Sequence, residues 1–162
     1  MLPDWKIRKE VLIEPFDESS LQPAGYDLRV GWEAYLNGEM IDVKMAGKVI
    51  IPPKTHALIL TLERIKLPDN VMGDMKLRSS LAREGLLGGF AWVDPGWDGK
   101  LTLAVFNSAD KPVELFYGER FVQIAFIRLE EAPKHPYRGN YQGSDRLALS
   151  KRHHHVQSAG RK

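Results

Sequence analysis

Cysteine is missing from this sequence of 162 residues. Its absence excludes disulfides, thiolate nucleophiles and every zinc site with a cysteine ligand, including the zinc centre that one large class of nucleobase deaminases uses. Any hydrolytic chemistry in this protein must therefore use oxygen or nitrogen groups.

Long apolar runs are also missing, and none approaches the roughly 20 residues that span a bilayer as a helix. The first ten residues mix acidic and basic side chains, so they lack the apolar centre of a signal peptide. We expect a cytoplasmic protein that does not act at a membrane.

Charge of one sign is in little excess, because 23 basic residues face 21 acidic ones and the net charge is only +2. No long basic surface is implied, so we do not expect nucleic acid as a partner. The length fits one domain, spanning residues 1–162.

Short apolar stretches alternate with Gly and Pro between Lys48 and Phe126, which is the pattern of many short strands joined by tight turns. This pattern predicts an all-β barrel or sandwich. The predicted strands are Lys48 to Ile51, His56 to Glu63, Val71 to Arg78, Phe90 to Val93, Leu101 to Asn107, Val113 to Phe116 and Phe121 to Leu129.

Helix is predicted to be a minor component. The best candidate is Ser79 to Gly85, where a serine can cap the first turn and Gly85 can end the helix. A short peripheral helix is also predicted around Asp4 to Glu10. From Glu130 onward the apolar periodicity fades, so residues 130–162 are interpreted as a C-terminal tail, and His153 to His155 as a solvated part of it.

The segment from Leu77 to Arg83 is the first candidate site. A strand there is predicted to run into a helix, whose first N–H groups have no intrahelical partner and attract anions. Arg78 adds a planar cation, and Ser79 and Ser80 add hydroxyl donors, which together suit phosphate. A capped helix with surface arginines is the alternative interpretation.

The segment from Ala91 to Gly99 is the second candidate site. A rigid Pro-Gly turn places Asp94 at the end of a strand and Trp97 just beyond it. Asp94 could accept a proton from water, and the indole could pack on a sugar or base. In isolation, the alternative is an aspartate that stabilises a turn.

Two further segments carry isolated polar groups. Asp27 follows the tight turn at Gly25, and its carboxylate could hold magnesium through water. Gln123 interrupts an apolar strand, where its amide needs a hydrogen-bond partner.

In order along the chain, four segments resemble the motifs of the superfamily that contains the trimeric dUTPases and the dCTP deaminases. These segments are Ala24 to Leu28, Arg78 to Ser80, Val93 to Gly99 and Gly118 to Gln123. The longer forms, such as Arg78 to Arg83 and Asp94 to Trp97, are similar to the deaminase branch, as is the tail from Tyr137 to Gly143. That branch contains deaminases, dUTPases and enzymes with both activities.

One position separates these activities in the resemblance. In deaminases of the superfamily, a glutamate on the strand after the aspartate turn moves protons to the cytosine ring. Ala104 occupies that position here, and a methyl group cannot transfer a proton. The resemblance therefore predicts hydrolysis of dUTP to dUMP and pyrophosphate, with Asp94 as the base that activates water.

The resemblance also implies the roles of other residues. Arg78, Ser79 and Ser80 would stabilise charge on the triphosphate, and Asp27 would help to place a hydrated Mg²⁺ held by the phosphates. Trp97 would pack on the deoxyribose. The further expected substrate contacts are Arg83, Phe90, Ala91, Val93, Gln123, Tyr137, Tyr141 and Gln142.

A dUTPase-like fold with jelly-roll character implies a homotrimer with active sites between subunits, each partly closed by the tail. Two other functions are left open. One is a dCTP deaminase, with or without pyrophosphate release, and the other is a catalytically silent nucleotide-binding regulator. A β-barrel interaction module would leave four ordered motifs as coincidence.

Overall fold

The computed structural model of the protein describes residues 1–152, and the three histidines of the predicted solvated tail lie outside them. The helices are α1 (Asp4–Glu10), α2 (Val43–Ala46) and α3 (Ser79–Arg83), with a 3-10 turn at Glu18–Ser20. The strands are β1 (Leu12–Glu14), β2 (Leu21–Gln22), β3 (Gly25–Leu36), β4 (Glu39–Asp42), β5 (Lys48–Ile51), β6 (His56–Lys66), β7 (Val71–Leu77), β8 (Leu86–Gly89), β9 (Asp98–Asn107), β10 (Val113–Phe116) and β11 (Arg120–Arg128).

The main sheet is antiparallel, and its central path runs β7, β11, β3, β6, β9, β8. Past the end of β8, Val93 forms an isolated bridge with Gly73 on β7, so the two edges of the path come together. The sheet is therefore a nearly closed barrel, with β5 and β10 as a separate pair. The prediction of an all-β barrel or sandwich is confirmed.

Glycine at position 73 allows this closure. A Cβ atom there would lie 2.7 Å from Cδ1 of Ile124 and 3.1 Å from Cβ of Val93. Because such distances are well inside van der Waals contact, only a residue without a side chain lets the segment after β8 approach β7.

The core follows the two-residue period of the strands. On β6, Ala57 and Ile59 are fully buried, whereas His56 and Leu58 face outward. On β9, Val105 is buried and Ala104 is only half-buried. Since directly paired residues point to the same face of a sheet, Leu58 and its partner Ala104 share the outer face.

Most predicted strands are present with small changes at their ends, but the strand Phe90 to Val93 is wrong. The strand there is β8, which ends at Gly89, and the chain then leaves β9 to reach Gly73 through Val93. The irregular segment from Phe90 to Trp92 is thereby freed from the sheet.

The helices also differ from the prediction. Three short helices are present rather than the two predicted, and the central helix α3 ends at Arg83. Its N-cap residue is Arg78, and no side chain caps it, so the expected serine cap is wrong. The helix around Asp4 to Glu10 is present as predicted.

Residues 130–152 contain neither helix nor strand but pack against the barrel, and Leu147 within them is buried. Among residues 1–152, no helix is long and apolar enough to cross a membrane.

Candidate active site

A cavity of about 720 Å³ lies over the outer face of β6 and β9. Its floor includes Leu58 and Ala104, which are direct cross-strand partners. Its walls come from the irregular segment after β8 and from the tail. This volume falls in the range of small-molecule sites. We call this cavity the outer-face pocket.

Apolar and polar side chains together line the outer-face pocket. Phe90, Trp92 and Trp97 provide apolar surface. The first two belong to the irregular segment that leaves the sheet. The polar and titratable side chains that line the pocket are His56, Asp94, Lys100, Thr102, Tyr137, Asn140, Tyr141, Ser144 and Ser150.

Asp94 begins the turn that joins the segment after β8 to β9. The Trp97 N–H donates to the Asp94 carbonyl at 3.1 Å, and Gly96 takes a φ of 86° that favours glycine. Within the described residues, the exposed Asp94 carboxylate has no hydrogen bond or ion pair. Asp94 therefore faces the pocket with its oxygens available.

Trp97 is largely buried, with 7% of its surface exposed. Its Nε1–H donates to the Gly99 carbonyl at 3.1 Å, and its ring centroid lies 5.6 Å from that of Tyr137. The indole thus connects the turn to the tail, and only part of it can contact a ligand.

The tail is held to this turn by a set of hydrogen bonds. The Tyr137 N–H donates to the Pro95 carbonyl at 2.9 Å. Gln142 uses both ends of its amide, because Nε2 donates to Gly96 O at 2.8 Å and Oε1 accepts from the Asp98 N–H at 3.0 Å. Within the tail itself, the Tyr141 hydroxyl accepts from the Lys151 N–H at 3.1 Å. Contacts of these side chains with a triphosphate stay a prediction.

Lys100 was not anticipated from the sequence. Its ammonium lies 4.3 Å from the centroid of the Trp32 ring and donates to the Leu62 carbonyl. Burial lowers the pKa of Lys100, partly offset by the nearby Glu63 carboxylate. Trp32 lies on β3, Leu62 on β6 and Lys100 on β9, so the pairing of β6 with both of its neighbours brings these groups together. No local pattern could have revealed the contact.

A second cluster of functional residues surrounds Asp27, which is 3% exposed. Its Oδ2 lies 3.4 Å from Arg78 Nε, 3.8 Å from Arg120 Nη1 and 3.4 Å from Gln22 Nε2. Burial raises the pKa of Asp27, and the two guanidinium groups oppose that rise. We call these four residues the arginine cluster.

The predicted phosphate-binding residues lie near the arginine cluster rather than in the pocket. Ser79 and Ser80 follow Arg78 at the start of α3 and are exposed, as is Gln123, which pairs with Asp27 in the sheet. Arg83 is exposed on α3. None of these side chains lines the outer-face pocket. Three other predicted substrate contacts, Phe90, Ala91 and Val93, do line it.

The residues do not fit a magnesium ion held by protein ligands. The Asp27 carboxylate already faces two guanidinium groups. Within residues 1–152, no three His, Asp or Glu side chains converge as a metal site. The predicted Mg²⁺, which is hydrated and held by the phosphates with Asp27 acting through water, stays a prediction.

The sequence model of the dCTP deaminase-like family matches residues 2–129. The chain belongs to this family. A protein named dCTP deaminase from Thermococcus kodakarensis is 80% identical over 152 residues, which are 94% of this chain and 98% of the relative. A protein of Persephonella marina named dCTP deaminase, dUMP-forming, is 38% identical over 88% of this chain and 92% of its own.

Solved structures support the same fold. A dCTP deaminase of Agrobacterium tumefaciens superposes with a TM-score of 0.67 at 21% identity, over 77% of this chain and 47% of its own. The EIAV dUTPase superposes with a TM-score of 0.55 at 22% identity, over 81% of this chain and 97% of its own. A phage phi11 dUTPase described with a structural Mg(II) ion has a TM-score of 0.55 at 15% identity, over 80% of this chain and 97% of its own.

These relatives correct the predicted activity. The prediction of a dUTP diphosphatase is wrong, because Thermococcus and Pyrococcus relatives 74–80% identical to this chain are named dCTP deaminase. The physical reason for the error is that the prediction rested on one missing side chain, at Ala104. A pocket formed by several strands can supply a proton-transfer group from another position. The assignment to the superfamily and to its deaminase branch is confirmed.

Proposed function

We propose that this protein is a dCTP deaminase, which replaces the amino group of the cytosine ring with a carbonyl oxygen and releases ammonia. The observation that carries the proposal is the outer-face pocket in a chain whose relatives at 74–80% identity are named dCTP deaminase.

The outer-face pocket suits a pyrimidine ring. Its volume of about 720 Å³ accommodates a nucleoside, and Phe90 and Trp97 offer aromatic surface against which a flat ring or a sugar can pack. The backbone of Phe90 to Trp92 makes no strand pairing. Its N–H and carbonyl groups are therefore free to read the polar edge of a base.

The arginine cluster suits the triphosphate. Guanidinium groups bind phosphate oxygens in a bidentate fashion, and Arg78 is followed by the two exposed hydroxyls of Ser79 and Ser80. Asp27 orients Arg78 and Arg120 from below, at 3.4 and 3.8 Å. In this proposal, Gln123 and Arg83 add contacts at the edge of the cluster.

The pocket and the arginine cluster have no lining residue in common. We therefore propose that one copy of the chain binds the base and that the arginine cluster of a second copy binds the triphosphate, in the homotrimer expected from the resemblance. Co-expression of Arg78→Ala with a pocket-blocking Ala104→Trp variant tests this arrangement. Random mixing should restore roughly a quarter of the sites if they are shared, and none if each lies within one chain.

The direct test of the activity is purified protein with dCTP, followed for ammonia and for pyrophosphate separately. Ammonia release that saturates with dCTP is expected. If no ammonia forms from dCTP at any protein concentration, the proposed function is rejected.

A second candidate is a dUMP-forming deaminase, which would also release pyrophosphate from dCTP. It is favoured by the available carboxylate of Asp94 in the pocket and by the name of the Persephonella marina relative. A carboxylate of this kind could activate water for attack on phosphorus. Asp94→Asn should then abolish pyrophosphate release while ammonia release continues.

A further inference from the structure

Deamination of cytosine requires a group that moves protons at the bottom of the pocket. Water adds to ring carbon C4, ring nitrogen N3 takes a proton, and the amino group needs another proton before it leaves. Ala104 is a half-buried residue of the pocket floor, and its methyl group can do none of this. The proton carrier must come from another side chain that faces the pocket.

Most titratable side chains that line the pocket are engaged elsewhere. Lys100 is held by the Trp32 ring and the Leu62 carbonyl. The Tyr137 hydroxyl accepts from the Tyr141 N–H at 3.2 Å, and the Tyr141 hydroxyl accepts from the tail at 3.1 Å. Two groups remain, the Asp94 carboxylate in the turn before β9 and the His56 imidazole on the floor.

His56 lies beside Ala104 on the same face of the sheet. Leu58 pairs directly with Ala104, and His56 pairs directly with Phe106, so His56 is the diagonal neighbour of Ala104. Diagonal Cβ atoms in an antiparallel pair are about 7 Å apart. A ring nitrogen of His56 can therefore contact a substrate atom that lies over Ala104. Among the described residues, the exposed imidazole has no hydrogen-bond or ion-pair partner, so it is free to turn.

We propose that His56 is the catalytic proton carrier of the deamination, because the neighbouring Ala104 offers no group that can transfer a proton. This inference rests on the proposed function. A neutral imidazole can take a proton from water and deliver it elsewhere near neutral pH. It therefore meets the chemical need without any carboxylate at position 104.

The proton steps balance with one water and no other reactant. His56 takes one proton from water as the oxygen bonds to C4, and it delivers that proton to N3. It then takes the proton of the new C4 hydroxyl and delivers it to the amino nitrogen. The bond from C4 to this nitrogen breaks, ammonia leaves, and the C4 carbonyl with a protonated N3 remains as the uracil product.

The first experiment compares His56→Gln with the matched control His135→Gln, which changes an exposed tail histidine outside the pocket lining. His56→Gln should lower kcat for ammonia release from dCTP by about 10²- to 10⁴-fold. Its KM for dCTP and its midpoint of thermal unfolding should change little, because His56 is exposed. The control should retain the wild-type kcat.

Two rescue experiments separate proton transfer from a merely structural role. Added imidazole should restore part of the ammonia release in His56→Ala, and it should leave the control unaffected. Ala104→Glu in the His56→Gln background should also restore release, because it places a carboxylate beside the lost imidazole.

The outcomes distinguish the two proposals. Wild-type protein that releases ammonia together with an equally active His56→Gln variant overturns the role of His56 and leaves the deaminase proposal intact. A large loss without any rescue by imidazole or by Ala104→Glu also overturns it. Wild-type protein that releases no ammonia rejects both proposals.

Discussion

Gln142 holds the tail over the pocket, and its loss should open the tail. Both of its hydrogen bonds, at 2.8 and 3.0 Å, go to backbone groups of the turn that carries Trp97. Gln142→Ala removes both bonds, so the Asp98 N–H and the Gly96 carbonyl lose these hydrogen-bond partners. A hydrogen bond contributes about 0.5–1.5 kcal/mol, so the docked tail should lose about 1–3 kcal/mol.

That loss should be measurable as a change in tail opening. A change of 1.4 kcal/mol is tenfold in an equilibrium constant, so the open fraction should rise by roughly 5- to 150-fold. Limited trypsin digestion reports it, because cleavage after Arg138 requires the neighbouring Tyr137 to leave the Pro95 carbonyl. The cleavage rate after Arg138 should rise by the same factor.

Glu131→Gln is the matched control for tail opening, because Glu131 is exposed and contacts no other described residue through a hydrogen bond or ion pair. It should leave the cleavage rate unchanged. If the proposed function holds, Gln142→Ala should also raise KM for dCTP, since the tail forms part of the pocket wall. Equal cleavage rates for Gln142→Ala and the control would refute the reasoning.

Three further predictions concern stability. Glu63→Ala should lower the free energy of unfolding, measured by urea titration, by about 3–5 kcal/mol, because it leaves Arg29 without the buried carboxylate that lies 2.6 Å away. As a control, Glu114→Ala, which breaks the exposed pair with Lys48, should cost less than about 1 kcal/mol in the same titration. Gly73→Ala should destabilise by about 1–3 kcal/mol in thermal unfolding, because the new methyl group would lie 2.7 Å from a side-chain carbon of β11, and an unchanged midpoint would contradict this. A hydrogen bond from Arg64 lowers the pKa of Asp98, so the stability that this carboxylate contributes is present above the ordinary carboxyl pKa and is lost as the pH falls through the lowered pKa. Asp98→Asn should therefore flatten the acid part of the curve of unfolding free energy against pH. Parallel curves for the variant and the wild type would contradict this prediction.

The strands and turns could be predicted because their signals are local. The two-residue period of β6 and β9 and the Pro-Gly turn after Asp94 are visible in short stretches of sequence. The strand predicted at Phe90 to Val93 failed for the opposite reason. Its apolar residues suit a strand, but the contact of Val93 with Gly73, 20 positions earlier, takes the chain off the sheet.

The residues of the candidate site, like the strands, could be predicted only where their signals are local. Asp94, Trp97, Arg78 and Asp27 stand out because each lies in a short motif, and the resemblance to the superfamily depends on those motifs. His56 carries no motif and was assigned only to a strand. Its relation to Ala104 exists through the register of β6 against β9, which joins positions 48 residues apart.

The sequence by itself determined the β-rich fold and the superfamily, because both depend on local periodicity and on motifs of a few residues. It did not determine the activity, because the absence of one side chain at Ala104 says nothing about what the neighbouring strand presents. Only the tertiary structure placed His56 on the floor of the pocket, Gln142 over the turn and Arg78 beside Asp27. Such contacts depend on strand pairing and on the docking of the tail, which no stretch of sequence contains.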